Sequence, residues 1–357
     1  MSLDLIYSRW ANRHPFFSEG WGRRDILDDL LKQGARKLNQ RLARRKLPPA
    51  RIAWTPARGM GHSLVREGVF ESPHYYEWKP ARAAKRRECL PPEIAFARVQ
   101  LIQPRHQQGG TRPLVIHFAA TGDEAFGRRR KTLALPLARR GISSVLIENP
   151  YYGQRRPPGQ IGSRLRNVTE FLQMARAAQD EGHVLLDYFR ALGYGPIGVT
   201  GVSMGGYSAL MMGAEAAFPV AVSACIPTHS AAPVYTEGVL SLACDWNALH
   251  AHLEGRGNGD PRDYMFRLFS LSDLDHLPAP KWSRAAVLVG AEDDRYIPRA
   301  SVESAHAHWP GSELRWIKGG HVSSFLFNRK DFIQAIVDSL DRIVDFPGTP
   351  LPPARSI

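Results

Sequence analysis

Three residues of this chain have the types and the order of a catalytic triad: Ser203, Asp294 and His321. Ser203 lies within a G-x-S-x-G motif at residues 201–205, between an apolar stretch typical of a strand and residues that favour a helix. Glycine is needed at both ends of such a turn, because a Cβ two positions either side of the serine would collide with it. The motif therefore predicts a nucleophile elbow that exposes the Ser203 hydroxyl beside a helix start, where the N–H groups favour negative charge.

The other two residues each follow a predicted strand, and their order along the chain is the one that this kind of elbow requires. A serine hydroxyl is a weak nucleophile without an adjacent base, and His321 is the predicted base that takes its proton. An acid must hold the imidazole in one tautomer. Asp294 and Asp293 both could do so, and we favour Asp294 because the A-x-x-D-x-x-I-P spacing is the usual one after this strand.

The negative charge that develops in such a reaction needs two backbone N–H donors. One is expected from Met204, directly after the nucleophile, and the other from the loop at 119–123. Small side chains let this loop approach a substrate, and we favour Ala120 over Ala119 as the second donor.

Strands and helices alternate around these residues, which predicts an α/β fold with a mostly parallel central sheet and helices on both faces. Strands are expected at 64–70, 94–102, 114–118, 143–147, 197–200, 219–225, 286–289 and 314–317. Helices are expected at 25–47, 129–140, 164–191, from 207 onward, and at 331–345.

The prediction divides the chain into a basic, aromatic-rich helical extension at 1–60 and a catalytic domain at 61–357. Within that domain, residues 228–280 interrupt the alternation and predict a small helical cap over the site. Five apolar residues of the cap could line an acyl site or form the cap's own core: Trp246, Tyr264, Phe266, Leu268 and Phe269. The aromatic residues of the extension could likewise anchor at a membrane interface or pack on the domain.

The chain has an ordinary globular composition over 357 residues, but its net charge of +13 is unevenly distributed. Residues 1–112 contain 22 of the 47 Lys and Arg residues and only 10 of the 34 Asp and Glu residues. Such a block suggests an anionic partner, which could be a nucleic acid, a membrane surface or an acidic substrate, or simply favours solubility. Cys89, Cys225 and Cys244 form no CxxC pair, which argues against a disulfide framework and fits a reducing compartment.

Several other classes of protein are not expected. The chain shows no secretory signal and no apolar run of the roughly 18 residues that cross a bilayer, so we predict a cytoplasmic protein, with peripheral membrane contact left open. A G-x-G-x-x-G match at 193–198 leads into a strand and contains Pro196, unlike a dinucleotide-binding turn. No spacing indicates a metal site and no motif indicates nucleic-acid binding, so neither these nor a cofactor is expected. The oligomeric state is not determined by these patterns.

Segments from about residue 20 to about residue 327 resemble the α/β-hydrolase domain-containing protein 18 family. The matching motifs are GWGR at 20–23, TGD at 121–123, RRR at 128–130, ENPYYG at 148–153, residues 193–206, YIPR at 296–299 and GGHVS at 319–323. The family's acid before YIPR falls on Asp294, and Ala120 stands where a glycine is expected in the family's oxyanion loop.

The resemblance implies an α/β-hydrolase fold and serine hydrolase chemistry on acyl esters. It also implies lipid deacylation, with anionic phospholipids such as cardiolipin as the substrate class, at an anionic membrane surface. A soluble carboxylesterase or amidase is the alternative enzyme, and a non-catalytic binder of anionic lipid is the alternative outside catalysis.

Overall fold

The computed structural model describes residues 3–5, 8, 14–43, 45–74, 90–106, 110–251, 253 and 259–346. Part of the basic block, residues 75–89 with Cys89, and the residues after 346 lie outside this description.

A ten-stranded mixed sheet occupies the centre of the described part of the chain. Its strands are β1 (Ala53–Trp54), β2 (Arg58–Met60), β3 (Ser63–Glu71), β4 (Phe96–Pro104), β5 (Leu114–Phe118), β6 (Ser143–Ile147), β7 (Ile197–Val202), β8 (Ala221–Cys225), β9 (Ala286–Ala291) and β10 (Glu313–Ile317). They lie in the order β1-β3-β4-β6-β5-β7-β8-β9-β10, with β2 paired to β3. All pairings among β5 to β10 are parallel, whereas those of β1 to β4 are antiparallel. The predicted mostly parallel sheet is confirmed.

The helices around the sheet are α1 (Arg24–Ala43), α2 (residues 127–138, in three segments), α3 (Val168–Ala191), α4 (Met204–Glu215), α5 (Ala232–Thr236), α6 (Trp246–Ala251), α7 (Pro261–Phe269), α8 (Arg299–His308), α9 (His321–Phe327) and α10 (Arg329–Val344). Helix α2 consists of Gly127–Arg129, a π-helical turn at Arg130–Ala134, and Leu135–Ala138.

Side-chain alternation along the central strands explains why helices cover both faces of the sheet. Leu114, Ile116 and Phe118 of β5 share one cluster with apolar residues of α3 and α4. Val115, between them, belongs to the opposite cluster, with residues of α2 and α10. Every residue of β5 is buried, as expected for a parallel strand covered on both faces.

The N-terminal segment and the insertion after β8 share one hydrophobic core. Phe16, Phe17 and Trp21 are at most 1% exposed and pack in the same cluster as Tyr235 and Tyr264 of the insertion. The Trp21 indole also donates a 2.9 Å hydrogen bond to a backbone carbonyl of α6. These three aromatic side chains therefore pack on the domain and are not exposed as a membrane anchor.

The insertion between β8 and β9 is helical, as predicted, and contains α5, α6 and α7. Tyr264, Leu268 and Phe269 are at most 2% exposed and Trp246 packs against the same cluster, whereas Phe266 is 41% exposed. Four of these five residues thus belong to a hydrophobic core rather than to an acyl site, and the insertion shares that core with the N-terminal segment.

The structure differs from the prediction at several element ends. Strands β1 and β2 were not expected, and because they pair with β3 the sheet begins before residue 61. The division of the chain at residue 60 stays a prediction. Helix α1 ends at Ala43 rather than 47, and Gly34, with φ of 71° and ψ of 163°, interrupts its helical conformation. None of the helices in the described residues is both long and apolar enough to cross a bilayer.

Candidate active site

Ser203 occupies a sharp turn between β7 and α4. Its φ of 59° and ψ of −120° are a conformation that non-glycine residues rarely adopt. The turn is held by the Ser203 N–H, which donates to Cys225 O at 2.9 Å. Glycine is required on either side, because a Cβ on Gly201 would overlap the backbone of Gly205. The strand, tight turn and helix expected around the motif are therefore present.

Ser203, His321 and Asp294 lie together beyond the carboxyl ends of the parallel strands. His321 Nε2 is 2.9 Å from Ser203 Oγ, and His321 Nδ1 is 2.7 Å from Asp294 Oδ2. The side chains of His321 and Asp294 are only 13% and 5% exposed. At these distances one imidazole nitrogen can accept the serine proton while the other donates to the carboxylate, which would activate the serine for attack on a carbonyl carbon.

The two neighbouring acids differ sharply in their contacts. Asp294 Oδ1 accepts the N–H groups of Tyr296 and Ile297 at 2.8 and 2.9 Å, which leaves Oδ2 directed at the imidazole. The Asp293 side chain is exposed, and its backbone N–H donates to Gly319 O at 3.0 Å. The contact to the histidine is therefore made by Asp294, in agreement with the spacing that favoured it.

Both predicted oxyanion donors border the same cavity as Ser203. Met204 is the first residue of α4, so its N–H has no acceptor within the helix. Ala120, in the loop after β5, is 7% exposed. This loop lies so close to the elbow that a Cβ on Gly205 would be 2.5 Å from Phe118 O. The loop and the elbow are thus in close backbone contact beside the serine, as an oxyanion hole built from both segments would require.

A cavity of about 830 Å³ opens beside Ser203. Its apolar lining comes from α3, the insertion, the loop after β9 and α9 and includes Phe171, Ala231, Val234, Tyr235, Leu240, Ile297, Phe325 and Leu326. The five apolar insertion residues noted in the sequence are not among the lining residues. Sequence reasoning missed the lining because α5 has only five residues, too few for a periodic pattern to separate a cavity wall from a core.

Basic side chains stand at the edge of this cavity. Arg128, Arg164 and His14 are among its lining residues. The Arg164 guanidinium lies 4.4 Å from the centre of the Phe16 ring, and that of Arg128 lies 5.2 Å from the centre of the Phe325 ring. Guanidinium groups held in this way can still bind phosphate or carboxylate groups of a ligand.

A buried ion pair lies at the end of the candidate oxyanion loop. Asp123, the last residue of the loop, forms a 2.7 Å ion pair with Arg129, and both are at most 5% exposed. The same guanidinium donates to His117 O at 2.9 Å. Burial, together with this nearby positive charge, lowers the pKa of His117 to about 3, so the imidazole is neutral at pH 7.

Asp4 contacts the candidate triad, although no sequence pattern indicated it. Its carboxylate accepts the backbone N–H groups of Arg295, His321 and Val322 at 2.9–3.1 Å. A single aspartate that lies 291–318 residues before its partners leaves no local signal in the sequence.

The structure also bears on a dinucleotide-binding turn and on a metal site, neither of which the sequence predicts. The glycine-rich match at 193–198 follows α3 and leads into β7, opposite to the order of a phosphate-binding turn. Across the residues that the structure describes, no group of three or more His, Cys, Asp or Glu side chains could hold a metal ion.

The chain is similar to a known family and to solved structures. A family model described as alpha/beta hydrolase domain containing 18 matches residues 14–261 and 258–342. Two acetyl xylan esterases have similar folds at 14% sequence identity, and each comparison covers 94% of this chain and 99% of the other. The enzyme from Paenibacillus sp. R4 gives a TM-score of 0.54, and acetyl xylan esterase 1 from Thermoanaerobacterium sp. JW/SL YS485 gives 0.51.

Proposed function

This chain belongs to the α/β-hydrolase domain containing 18 family, and we propose that it is a serine hydrolase that cleaves acyl esters. The observation that carries the proposal is the hydrogen-bonded row of Ser203, His321 and Asp294 at the wall of a large, mostly apolar cavity. Nucleophile and base are within hydrogen-bond reach, and a third group orients the base, which is the general signature of an activated nucleophile.

In the proposed reaction, Ser203 Oγ attacks the ester carbonyl carbon while His321 Nε2 takes its proton. Asp294 holds the imidazole through Nδ1–H and stabilises the imidazolium. The N–H groups of Met204 and Ala120 would bind the oxyanion of the tetrahedral intermediate. His321 then gives the proton to the departing alcohol oxygen. A water molecule, deprotonated by the same imidazole, attacks the acyl-serine, and the proton returns to Ser203 as the carboxylic acid leaves.

We further propose that the ester belongs to a lipid, with phospholipids as the substrate class. The volume and apolar lining of the cavity suit an acyl chain. Ile161 and Leu326 line its mouth and are 58% and 57% exposed, and the next residue, Phe327, is 72% exposed. An exposed apolar rim near the basic Arg128 and Arg164 matches the apolar interior and anionic headgroups of a membrane surface.

A soluble ester is the second candidate substrate. It is favoured by the names of the two structurally similar enzymes, acetyl xylan esterases, whose acyl group is small. The two candidates differ in a measurable way, because a lipid deacylase acts on vesicles whereas a soluble esterase is indifferent to them.

The test compares the wild type with Ser203→Ala on liposomes of a total lipid extract and on a p-nitrophenyl ester. With the wild type alone, mass spectrometry should find lysophospholipid and free fatty acid, and a fluorophosphonate should label Ser203. Near-normal hydrolysis by Ser203→Ala would refute the assigned nucleophile. Ester hydrolysis with an unchanged lipid profile would favour the soluble substrate, whereas no hydrolysis and no labelling of folded protein would favour a lipid binder.

A second pair of variants tests the rim. Phe327→Ser should reduce hydrolysis of liposomes roughly 10- to 100-fold, since an aromatic side chain buried in lipid contributes about 1.5–3 kcal/mol, and leave hydrolysis of the soluble ester unchanged. Phe96→Ser is the matched control, because Phe96 is 56% exposed and does not line the cavity. Equal effects of both variants on liposome hydrolysis would contradict a membrane-facing rim.

A further inference from the structure

Asp4 is a buried carboxylate that touches two loops of the candidate site at once. It is 1% exposed. Its Oδ2 accepts the N–H groups of Arg295 and His321 at 3.1 and 3.0 Å, and its Oδ1 accepts the N–H of Val322 at 2.9 Å. All three donors are backbone groups, so these bonds fix the path of the chain rather than the rotamer of a side chain.

These two loops carry two of the three triad residues. Arg295 directly follows Asp294 in the loop after β9, and His321 begins α9 after β10. One carboxylate therefore bridges the loop of the acid and the loop of the base, whose side chains must meet at 2.7 Å. The Tyr296 hydroxyl also donates to Asp4 O at 3.5 Å, and its ring packs 5.0 Å from the imidazole.

The contact is tight as well as buried. A Cβ placed on Gly320 would lie 2.7 Å from Asp4 Oδ2, so the histidine loop has no room for a side chain at that point. Hydrogen bonds to an ionised acceptor are stronger than neutral ones and strongly directional. Because burying a carboxylate costs free energy unless its hydrogen bonds are made, the three N–H groups and Asp4 hold one another in place.

We propose that Asp4 is a positioning residue that sets the placement of His321 relative to Asp294. This inference rests on the proposed function, because the placement matters only if these residues act together in catalysis. Asp4 is not among the residues that line the cavity. Its loss should therefore slow the chemical step and leave substrate binding unchanged.

The first test is Asp4→Asn in the full chain. An amide keeps one acceptor oxygen but places an NH₂ group against a backbone N–H, so at least one of the three N–H groups loses its acceptor and the other contacts must shift. We expect kcat and the rate of fluorophosphonate labelling to fall on the order of 100-fold, as for a small misplacement of reacting groups, with KM unchanged. The proton resonance of the hydrogen bond between His321 and Asp294 should also shift or broaden.

Ser8→Ala is the matched control within the same N-terminal segment. Ser8 is 3% exposed and its hydroxyl bonds to Leu5 O at 2.9 Å, so the substitution disturbs the segment without removing a contact to the triad loops. It should label at the wild-type rate and keep the His321 proton resonance.

Gly320→Ala disturbs the same contact from the histidine loop and provides a second test if Asp4→Asn folds poorly. The new methyl group would displace the carboxylate, so kcat should again fall. The double variant should be little slower than either single variant, since both remove one interaction.

The outcomes separate this inference from the proposed function. If the fluorophosphonate does not label Ser203 in the wild type, the proposed function fails. If the wild type is labelled and both Asp4→Asn and Gly320→Ala are labelled equally fast, the positioning role fails alone. Parallel loss of rate and thermal stability in Asp4→Asn and Ser8→Ala would also overturn it, because the segment would then be only structural.

Discussion

Gly205→Ala tests the contact between the elbow and the oxyanion loop. Gly205 is the second residue of α4, and a Cβ there would lie 2.5 Å from Phe118 O and 3.1 Å from the Ala119 carbonyl carbon. Ordinary contact begins at about 3.4 Å, so the two backbones must separate by roughly 1 Å. Both neighbouring atoms belong to the backbone, and no side-chain rotation can relieve the overlap.

The separation should weaken the oxyanion hole without unfolding the protein. Its two candidate donors, Met204 and Ala120, lie on the two segments that would move apart. A misplacement of 1 Å costs on the order of 100-fold in rate, and loss of one oxyanion donor costs ~10²–10³. We therefore expect kcat to fall about 100-fold, equivalent to about 2.7 kcal/mol of transition-state stabilisation, with KM nearly unchanged.

Gly213→Ala provides the control on the same helix. A Cβ at Gly213 would lie 2.5 Å from Val222 Cγ2, the end of a side chain on the sheet rather than a backbone atom near Ser203. The assay is kcat and KM on a p-nitrophenyl ester, with the rate of fluorophosphonate labelling and the unfolding temperature measured on the same samples. Wild-type kcat in Gly205→Ala, or an equal loss in Gly213→Ala, would refute the assigned oxyanion geometry.

Three further predictions concern the acid, a buried histidine and a buried ion pair. Asp294→Asn should lower kcat about 10⁴-fold, because its NH₂ group favours the wrong imidazole tautomer, and Asp293→Asn should leave kcat unchanged; the same ester assay decides. Folding lowers the pKa of His117 from 6.5 to about 3. Between pH 6.5 and pH 3 the imidazole is therefore protonated in the unfolded chain but not in the folded protein, so the free energy of unfolding falls as the pH drops through that range. Urea unfolding should find a smaller stability loss from pH 7 to 5 in His117→Gln than in the wild type, by about 2 kcal/mol, and an equal loss would refute the assignment. Arg155→Met removes the ion-pair partner of the buried Glu181 carboxylate and should lower the free energy of unfolding in urea by about 3–5 kcal/mol. Arg156→Met removes a partly exposed ion pair with Glu124 and should lower it by about 0–1 kcal/mol.

The sequence predicted those parts of the fold and the site that leave a local pattern. The strand at 143–147 and the elbow at 201–205 follow from apolar runs and glycine spacing, and the structure has them where expected. The short strands β1 and β2 were missed because two or three residues show no alternation, and they exist only by pairing with β3. The cavity wall was not identified from the sequence, which left five apolar residues of the insertion open as either core or cavity lining, since hydrophobicity alone does not distinguish the two.

The buried acidic residues next to the candidate site could not be predicted for a different reason. Asp4 has no pattern around it, and Asp123 ends the TGD motif without any sign of its ion-pair partner, so only the folded chain brings each against its partners. A buried charge adds little net stability, because the cost of removing it from water offsets much of the attraction to its partners. It does, however, fix the direction of particular N–H groups, which apolar packing does not. Because these charges sit beneath the three loops that carry Asp294, His321 and Ala120, we infer that they serve the alignment of the site more than the stability of the fold.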